Sequence, residues 1–244
     1  EHLFTLCENG SLIETPSGNK RLDLNQTIRM AVPIGPGRFL IQSESQTAEV
    51  DVSNSGVSLR PLQLPEAIRL VAACPSGLIY SLQDRLWWLS FEDGKRVETG
   101  IDAQDFLALR EHKDKRIRLL CRTVILTRLP GQTAFEAKNL TVPLEGPAVM
   151  TDSHLWATDA DHRLRKYRLD DFSLVWEKQM DHQILYPVVE FENLALAVTR
   201  SSTMAAIKAN GTQVWYVSFG GLPLCPPLIR SEEHTSELQS RSVI

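Results

Sequence analysis

The chain has 244 residues, of which 43% are hydrophobic and 23% are charged, and its formal net charge at pH 7 is −4. This length is enough to bury a sizeable core, as one large all-β domain or two smaller ones. The sequence has no basic stripe of the kind that binds nucleic acid, and no apolar run of about eighteen residues that could span a bilayer. We therefore expect a globular chain with no nucleic-acid partner and no membrane span.

Short apolar segments separated by turn signals run through the whole sequence, a pattern typical of all-β proteins. In chain order, the predicted strands are His2–Cys7, Leu12–Thr15, Arg21–Leu24, Ile28–Ile34, Phe39–Ser43, Ala48–Val52, Val57–Leu64, Ile68–Cys74, Leu78–Leu82, Leu86–Phe91, Arg96–Ile101, Phe106–Leu109, Ile117–Cys121, Val124–Leu129, Ala134–Val142, Leu155–Thr158, Leu164–Leu169, Leu194–Val198 and Met204–Ile207, and Pro223–Ile229 begins another. Ala103–Lys113 is the one segment that fits a helical turn or two, but a strand there fits the series better.

Equivalent strands recur at a nearly constant period. They begin near His2, Arg38, Leu78, Arg116, His154 and Leu194, about 38 residues apart. The two clearest copies are Gly146–Trp176 and Tyr186–Trp215, each with an early proline, apolar strands, polar turns and a closing Val-Trp. A unit of this length cannot bury its apolar faces alone. The period therefore favours an all-β propeller of four-stranded blades, with about six repeats, over a sandwich or barrel.

The two clear copies resemble the PQQ-like β-propeller repeat, also called the quinoprotein-alcohol-dehydrogenase-like repeat. The matching residues are Pro147, Asp159–Asp161 and Trp176 in the first copy and Pro187, Gly211 and Trp215 in the second. The resemblance covers residues 146–229, whereas residues 1–145 follow the period alone, and it is more specific for fold than for activity. A WD40-like propeller is a close alternative, but no Gly-His or Trp-Asp dipeptide occurs.

Tryptophans have structural roles in such a repeat. We expect Trp176 and Trp215 to pack between neighbouring blades, each burying on the order of 200 Å². Trp87 and Trp88 point to opposite faces of one strand, so at most one of them lies in the core.

Both ends of the sequence indicate a fragment of a larger propeller protein. No signal segment follows Glu1, so we expect a processed start or an internal fragment. The segment Arg230–Ser240, RSEEHTSELQS, resembles the in-frame translation of a common sequencing adapter, and we predict that residues 230–244 are a non-native or disordered tail. The propeller domain is predicted to span residues 1–229, with strand 223–229 pairing with residues 1–24 to close six blades.

The four cysteines are far apart and include no C-x-x-C pair, so they lack the spacing of a zinc or redox site. They are Cys7, Cys74, Cys121 and Cys225, and each lies in or beside an apolar run, where a thiol behaves as a small hydrophobe. We expect buried free thiols, which favour a cytoplasmic location, whereas a lost signal peptide would make the protein periplasmic or secreted.

The family resemblance raises a redox function. Quinone-binding members stack the cofactor between a tryptophan and a vicinal disulfide, and they hold calcium with acidic and amide side chains. This sequence has no adjacent cysteines and lacks the extended docking motif of those enzymes. We therefore assign no cofactor and no catalytic or cofactor-binding residue.

Two groups of residues suggest metal ligands but fit structural roles better. Asp159 and Asp161 alternate as in a calcium loop, but the further oxygen ligands and the closing Glu are missing, so we interpret them as an Asx-type turn. His154, His162 and His182 lack zinc-site spacing and are expected to be surface or turn histidines. We assign no metal ligand.

The segment Lys113–Arg118, with Arg110 and Arg122 nearby, is the one basic cluster. An anion or nucleic-acid patch is one interpretation. Because Glu111 and Asp114 interrupt the cluster, a solvated turn between blades fits better.

Our leading hypothesis is a non-catalytic scaffold that binds a protein partner at the propeller rim and central mouth, because rigid blades present loops of variable sequence. One alternative is a quinone- or calcium-dependent dehydrogenase whose missing blades carry the site. Another is a ligand-sensing propeller fused to a kinase or membrane anchor that has been lost.

Overall fold

The computed structural model describes residues 3–6, 11–15, 20–23, 27–44, 46–53, 56–65, 68–191, 194–224 and 226–227. The regular structure among these residues consists of short β-strands and one 3₁₀ turn at Ala103–Asp105. Within this part of the chain, no helix is long and apolar enough to cross a bilayer.

The described strands form six antiparallel sheets, each made of strands consecutive in the chain, which we call blades 1 to 6. Blade 1 contains β1 (Leu3–Leu6), β2 (Ser11–Thr15) and β3 (Lys20–Asp23). Blade 2 contains β4 (Ile28–Gly35), β5 (Arg38–Ser43), β6 (Thr47–Ser53) and β7 (Gly56–Pro61). Blade 3 contains β8 (Arg69–Cys74), β9 (Gly77–Leu82), β10 (Arg85–Ser90) and β11 (Arg96–Asp102). Blade 4 contains β12 (Phe106–Glu111), β13 (Ile117–Cys121), β14 (Val124–Arg128) and β15 (Glu136–Asn139). Blade 5 contains β16 (Val149–Met150), β17 (His154–Thr158), β18 (Arg163–Arg168) and β19 (Leu174–Gln179). Blade 6 contains β20 (Val189–Phe191), β21 (Leu194–Val198), β22 (Thr203–Lys208) and β23 (Gln213–Ser218).

Five of these sheets have four strands in simple up-and-down order, and the predicted β-propeller of four-stranded blades is confirmed. The predicted strands Ile117–Cys121 and Leu194–Val198 coincide with β13 and β21. The strand predicted over Val57–Leu64 ends at Pro61, although the Leu62 amide still donates a 2.9 Å hydrogen bond to the Thr47 carbonyl oxygen.

The middle strands of a blade hold most of its buried residues, whereas no residue of the five outer strands β7, β11, β15, β19 and β23 is buried. In β13 all five residues are buried. Apolar side chains pack between adjacent blades: Ile79 and Trp88 of blade 3 pack with Leu119 and Leu126 of blade 4. Equivalent clusters join blades 2 and 3 and blades 5 and 6. Burial of apolar surface between blades is thus the main stabilising term.

The tryptophan pair on β10 confirms the prediction from strand alternation. Trp88 is 1% exposed, whereas Trp87 is half-buried and stacks on Tyr80 with ring centroids 6.5 Å apart. Trp88 depends on Gly77, because a Cβ there would collide with the Trp88 ring and the Leu89 carbonyl oxygen.

The chain divides into two compact units, residues 1–144 with 150–152 and residues 145–149 with 153–244. Blades 1 to 4 belong to the first unit, and nearly all of blades 5 and 6 to the second. The predicted pairing of strand 223–229 with residues 1–24 involves residues 225 and 228–229, and the predicted tail spans residues 230–244. All of these lie outside the described residues, so both statements stay predictions.

Candidate functional site

Blade 6 presents two different faces, which its strand register defines. Leu196 lies opposite Ala206, and Ala206 opposite Trp215, so these three share one face. On the other face, the four residues that pack against blade 5 are Ala195, Ala197, Ala205 and Ile207. Three of these are alanines, so this face is flat enough for large side chains of blade 5 to lie on it.

Trp176 of blade 5 uses that flat face. Its Nε1 donates a 2.8 Å hydrogen bond to the Ala209 carbonyl oxygen, and its ring meets Trp156 edge-on with centroids 5.3 Å apart. Gly211, at φ +85°, lies beneath the same ring, and a Cβ there would be 3.1 Å from it. The prediction that Trp176 packs between neighbouring blades is confirmed.

Trp215 is the equivalent residue of blade 6, but it is 40% exposed. All six residues of β23 are exposed, including Tyr216 at 68%, whereas exposed and half-buried residues mix along β19. The prediction of inter-blade packing is therefore not met for Trp215 within the described residues. The physical reason is that the described residues leave every residue of β23 exposed, so the Trp215 ring is not enclosed.

The apolar surface continues past the end of β23. Phe219 is anchored because its amide donates a 2.7 Å hydrogen bond to the Ser202 carbonyl oxygen, and the Tyr186 hydroxyl donates to the Pro223 carbonyl oxygen at 2.8 Å. Leu222 and Leu224 are exposed. We define the β23 surface as Val214, Trp215, Tyr216, Val217, Phe219, Leu222 and Leu224.

Charge distinguishes β23 from the other outer strands. Each of β7, β11, β15 and β19 carries at least one charged side chain, but Gln213–Leu224 contains none. Charged residues on an edge strand normally prevent pairing with other chains. A concentration of exposed large apolar side chains on one edge strand is typical of a site of protein interaction.

The Asp159 carboxylate forms a turn, as interpreted from the sequence. It is 5% exposed and accepts backbone hydrogen bonds from Asp161 at 3.0 Å and Arg163 at 2.9 Å. Arg165 pairs with the same carboxylate at 2.8 Å. These donors occupy the oxygens that a calcium ion would need.

The three candidate histidines do not meet at one site. His154 contacts the Ser153 hydroxyl through Nδ1 at 2.7 Å, His162 occupies a turn at φ 62°, and His182 is exposed. Among the described residues, no group of three or more histidine, cysteine or acidic side chains is arranged to hold a metal ion.

The basic cluster around residues 110–122 is balanced by acidic partners. The ion pairs, at 2.7–3.8 Å, are Arg110–Asp152, Lys113–Asp152, Lys115–Glu111, Arg116–Asp114 and Arg122–Asp105. Residues 113–115 form an exposed turn, but it joins β12 and β13 within blade 4. The expected position between blades was wrong, because Phe106–Glu111 is the first strand of its blade and not the last of the preceding one.

Cys74 and Cys121 are buried free thiols, as predicted. Burial raises the pKa of each to about 12, so both stay protonated at neutral pH and lack the thiolate that nucleophilic chemistry needs. Cys7 and Cys225 lie outside the described residues.

Sequence reasoning missed two features. The β23 surface was missed because its Val-Trp pair repeats that of blade 5, which led us to expect Trp215 to pack between blades. The absence of charge over Gln213–Leu224 was a sequence signal for this surface. Lys166 was missed because it lies in the polar segment Arg163–Arg168, which gives no sign that Lys166 is 6% exposed.

Comparisons with known proteins bear on the fold. No protein-family model matches the sequence, and no curated protein matches it. The solved structure of BamB from Moraxella catarrhalis is similar, with a TM-score of 0.63 at 10% identity over 88% of this chain and 72% of that chain. The computationally designed Ika8 protein gives 0.63 at 12% identity over 90% and 71%. KlHsv2 with loop 6CD replaced by a Gly-Ser linker gives 0.56 at 11% identity over 74% and 62%. These similarities support the β-propeller fold.

Proposed function

We propose that this chain is a PQQ-like β-propeller that acts as a non-catalytic scaffold and binds a partner protein through the β23 surface. The single observation that carries the proposal is the exposed, uncharged outer strand of blade 6, in a protein whose other outer strands carry charge. The balanced charge of the basic cluster favours a protein partner over nucleic acid.

The partner segment is an extended, uncharged strand that pairs with the outer edge of β23. β23 ends its sheet, and within the described residues no backbone hydrogen bond is made on its outer side. An added strand would satisfy those backbone groups, and its alternate side chains would meet the two apolar faces. Val214 and Tyr216 are 48% and 68% exposed, so their side chains can contact the added strand directly.

A random peptide library displayed on phage tests this proposal. Selection on the full chain should give uncharged peptides with alternating apolar residues. These peptides should bind Val214→Lys and Tyr216→Lys at least about tenfold more weakly, because lysine on an edge strand opposes pairing. The matched control is Val175→Lys on β19, which has nearly the same exposure as Val214, 44% against 48%.

Two outcomes would contradict the proposal. One is selected peptides that bind both β23 variants as tightly as the unaltered chain. The other is saturable binding of calcium and pyrroloquinoline quinone with dye-coupled alcohol oxidation, which would favour the dehydrogenase alternative. In a third case the partner is a second copy of this chain. Light scattering would then show assembly of the unaltered chain, and both β23 variants would abolish that assembly.

A further inference from the structure

A cavity of about 200 Å³ lies between blades 5 and 6, away from the β23 surface. Its polar lining comes from Ser153, His154, Lys166 and Glu190, and its apolar lining includes Trp156 and Ile207. Every one of these residues belongs to the second compact unit. The cavity thus combines two opposite charges with an apolar wall.

Lys166 is the main positive group of this cavity. It is 6% exposed, and its Nζ lies 4.7 Å from the centre of the Trp156 ring, close enough for a cation–π contact. Burial lowers its pKa, and the negative charge of Glu190 acts in the opposite direction. Among the described residues, no carboxylate lies within ion-pair distance of Nζ. A buried ammonium is normally paired at contact distance, so Lys166 is suited to receive an anionic group of a ligand.

Glu190 is the negative group, and Trp156 holds it in place. The Trp156 Nε1 donates a 2.5 Å hydrogen bond to Oε1 of Glu190. This bond fixes the carboxylate on the cavity and leaves Oε2 for another donor. Burial and the positive charge of Lys166 lower the pKa of His154, which disfavours a second positive charge in this cavity.

We propose that this cavity binds the zwitterion of a small α-amino acid, whose carboxylate pairs with Lys166 and whose ammonium pairs with Glu190. A carboxylate alone would be repelled by Glu190, and an amine alone by Lys166, so a ligand that carries both charges is the best electrostatic match. The volume of about 200 Å³ accommodates a ligand with a small side chain such as that of alanine or valine. The apolar wall, including Leu194 and Ile207, accommodates that side chain.

Titration of the full chain tests the proposal, with calorimetry and intrinsic tryptophan fluorescence, to which Trp156 contributes, as readouts. The probes are L-alanine and L-valine, with propionate and ethylamine as single-charge analogues. We expect saturable binding of the amino acids and at least about tenfold weaker binding of both analogues, because each loses one charge-assisted hydrogen bond.

Two variants assign the charges. Lys166→Met keeps the apolar stem, and Glu190→Gln keeps an acceptor for Trp156, and each should weaken alanine binding at least about tenfold. The matched control Lys178→Met lies on β19 and does not line the cavity, so it should bind as the unaltered chain does. The proposal is overturned if neither amino acid binds, if propionate binds as tightly as alanine, or if Lys166→Met binds alanine unchanged. The ligand series on the unaltered chain decides the question even if a variant fails to fold.

Discussion

Trp176 and Trp215 occupy the same position in successive blades, yet their surroundings differ. Each follows a valine on the outer strand and lies opposite the strand before it, Trp176 opposite Lys166 and Trp215 opposite Ala206. Trp176 is covered by the flat face of blade 6, whereas Trp215 is 40% exposed. The repeat therefore determines where a tryptophan is placed, and the adjacent blade determines what it contributes to stability.

The largest expected difference between the two positions is in stability. Trp176→Ala removes the hydrogen bond to Ala209 and the edge-on contact with Trp156, and should lower the free energy of unfolding by about 3 kcal/mol. Trp215→Ala should cost no more than about 1 kcal/mol, because Trp215 is already 40% exposed to water. Urea unfolding followed by circular dichroism measures both. Equal losses would mean that Trp215 is as well packed as Trp176.

The turns that follow β17 in blade 5 and β21 in blade 6 differ in charge. This difference gives the next largest expected effect on stability. Asp159 is paired with buried Arg165, whereas the equivalent Thr199 makes only neutral contacts, to Ser201 at 2.7 Å and Thr203 at 2.6 Å. Asp159→Asn should cost about 2 kcal/mol, because Arg165 loses one of its two carboxylate partners. Thr199→Val should cost about 1 kcal/mol. If Thr199→Val lowered the urea midpoint more than Asp159→Asn does, the greater contribution of Asp159 to stability would be contradicted.

A substitution at Gly211 tests directly how closely blade 6 packs on the Trp176 ring. An alanine there has to adopt φ +85° and approach the Trp176 ring, so Gly211→Ala should cost about 1–2 kcal/mol. A Cβ added at Gly220 would meet no other atom within 4 Å, so Gly220→Ala serves as the control and should change stability by less than about 0.5 kcal/mol. Thermal unfolding compares the pair, and an unchanged melting temperature for Gly211→Ala would argue against close packing at this point.

The smallest expected effect on stability is that of lysine on the β23 surface. Tyr216 is 68% exposed, so Tyr216→Lys should change the free energy of unfolding by less than about 0.5 kcal/mol. A melting temperature within error of the unaltered chain would agree with this. A loss of more than about 2 kcal/mol would mean that Tyr216 is part of a packed core and unsuited to partner binding.

Much of the fold was predictable because it depends on local signals. β13 and β21 are short apolar runs between turns, so their bounds follow from the sequence. The choice of a strand over a helix at Ala103–Lys113 was correct for Phe106–Glu111, although Ala103–Asp105 forms a 3₁₀ turn. Asp159 was predictable as a turn residue, since its hydrogen bonds reach only two and four residues along the chain.

The candidate sites were not predictable because they depend on contacts between strands. Lys166 is buried by Trp156, ten residues earlier and on the neighbouring strand, and no periodicity in the sequence marks that contact. The exposure of Trp215 depends on what lies beyond β23, and the Val-Trp pattern is the same whether or not a sheet covers it.

Hydrogen exchange of β23 tests the central claim most directly. Mass spectrometry would follow the amides of Gln213–Ser218 with and without a peptide selected on the full chain. A paired strand should slow the outward-facing amides of β23 at least about tenfold and leave those of β19 unchanged. Unchanged exchange in β23 at a saturating peptide concentration, or protection confined to another blade, would contradict the claim that this edge binds a partner.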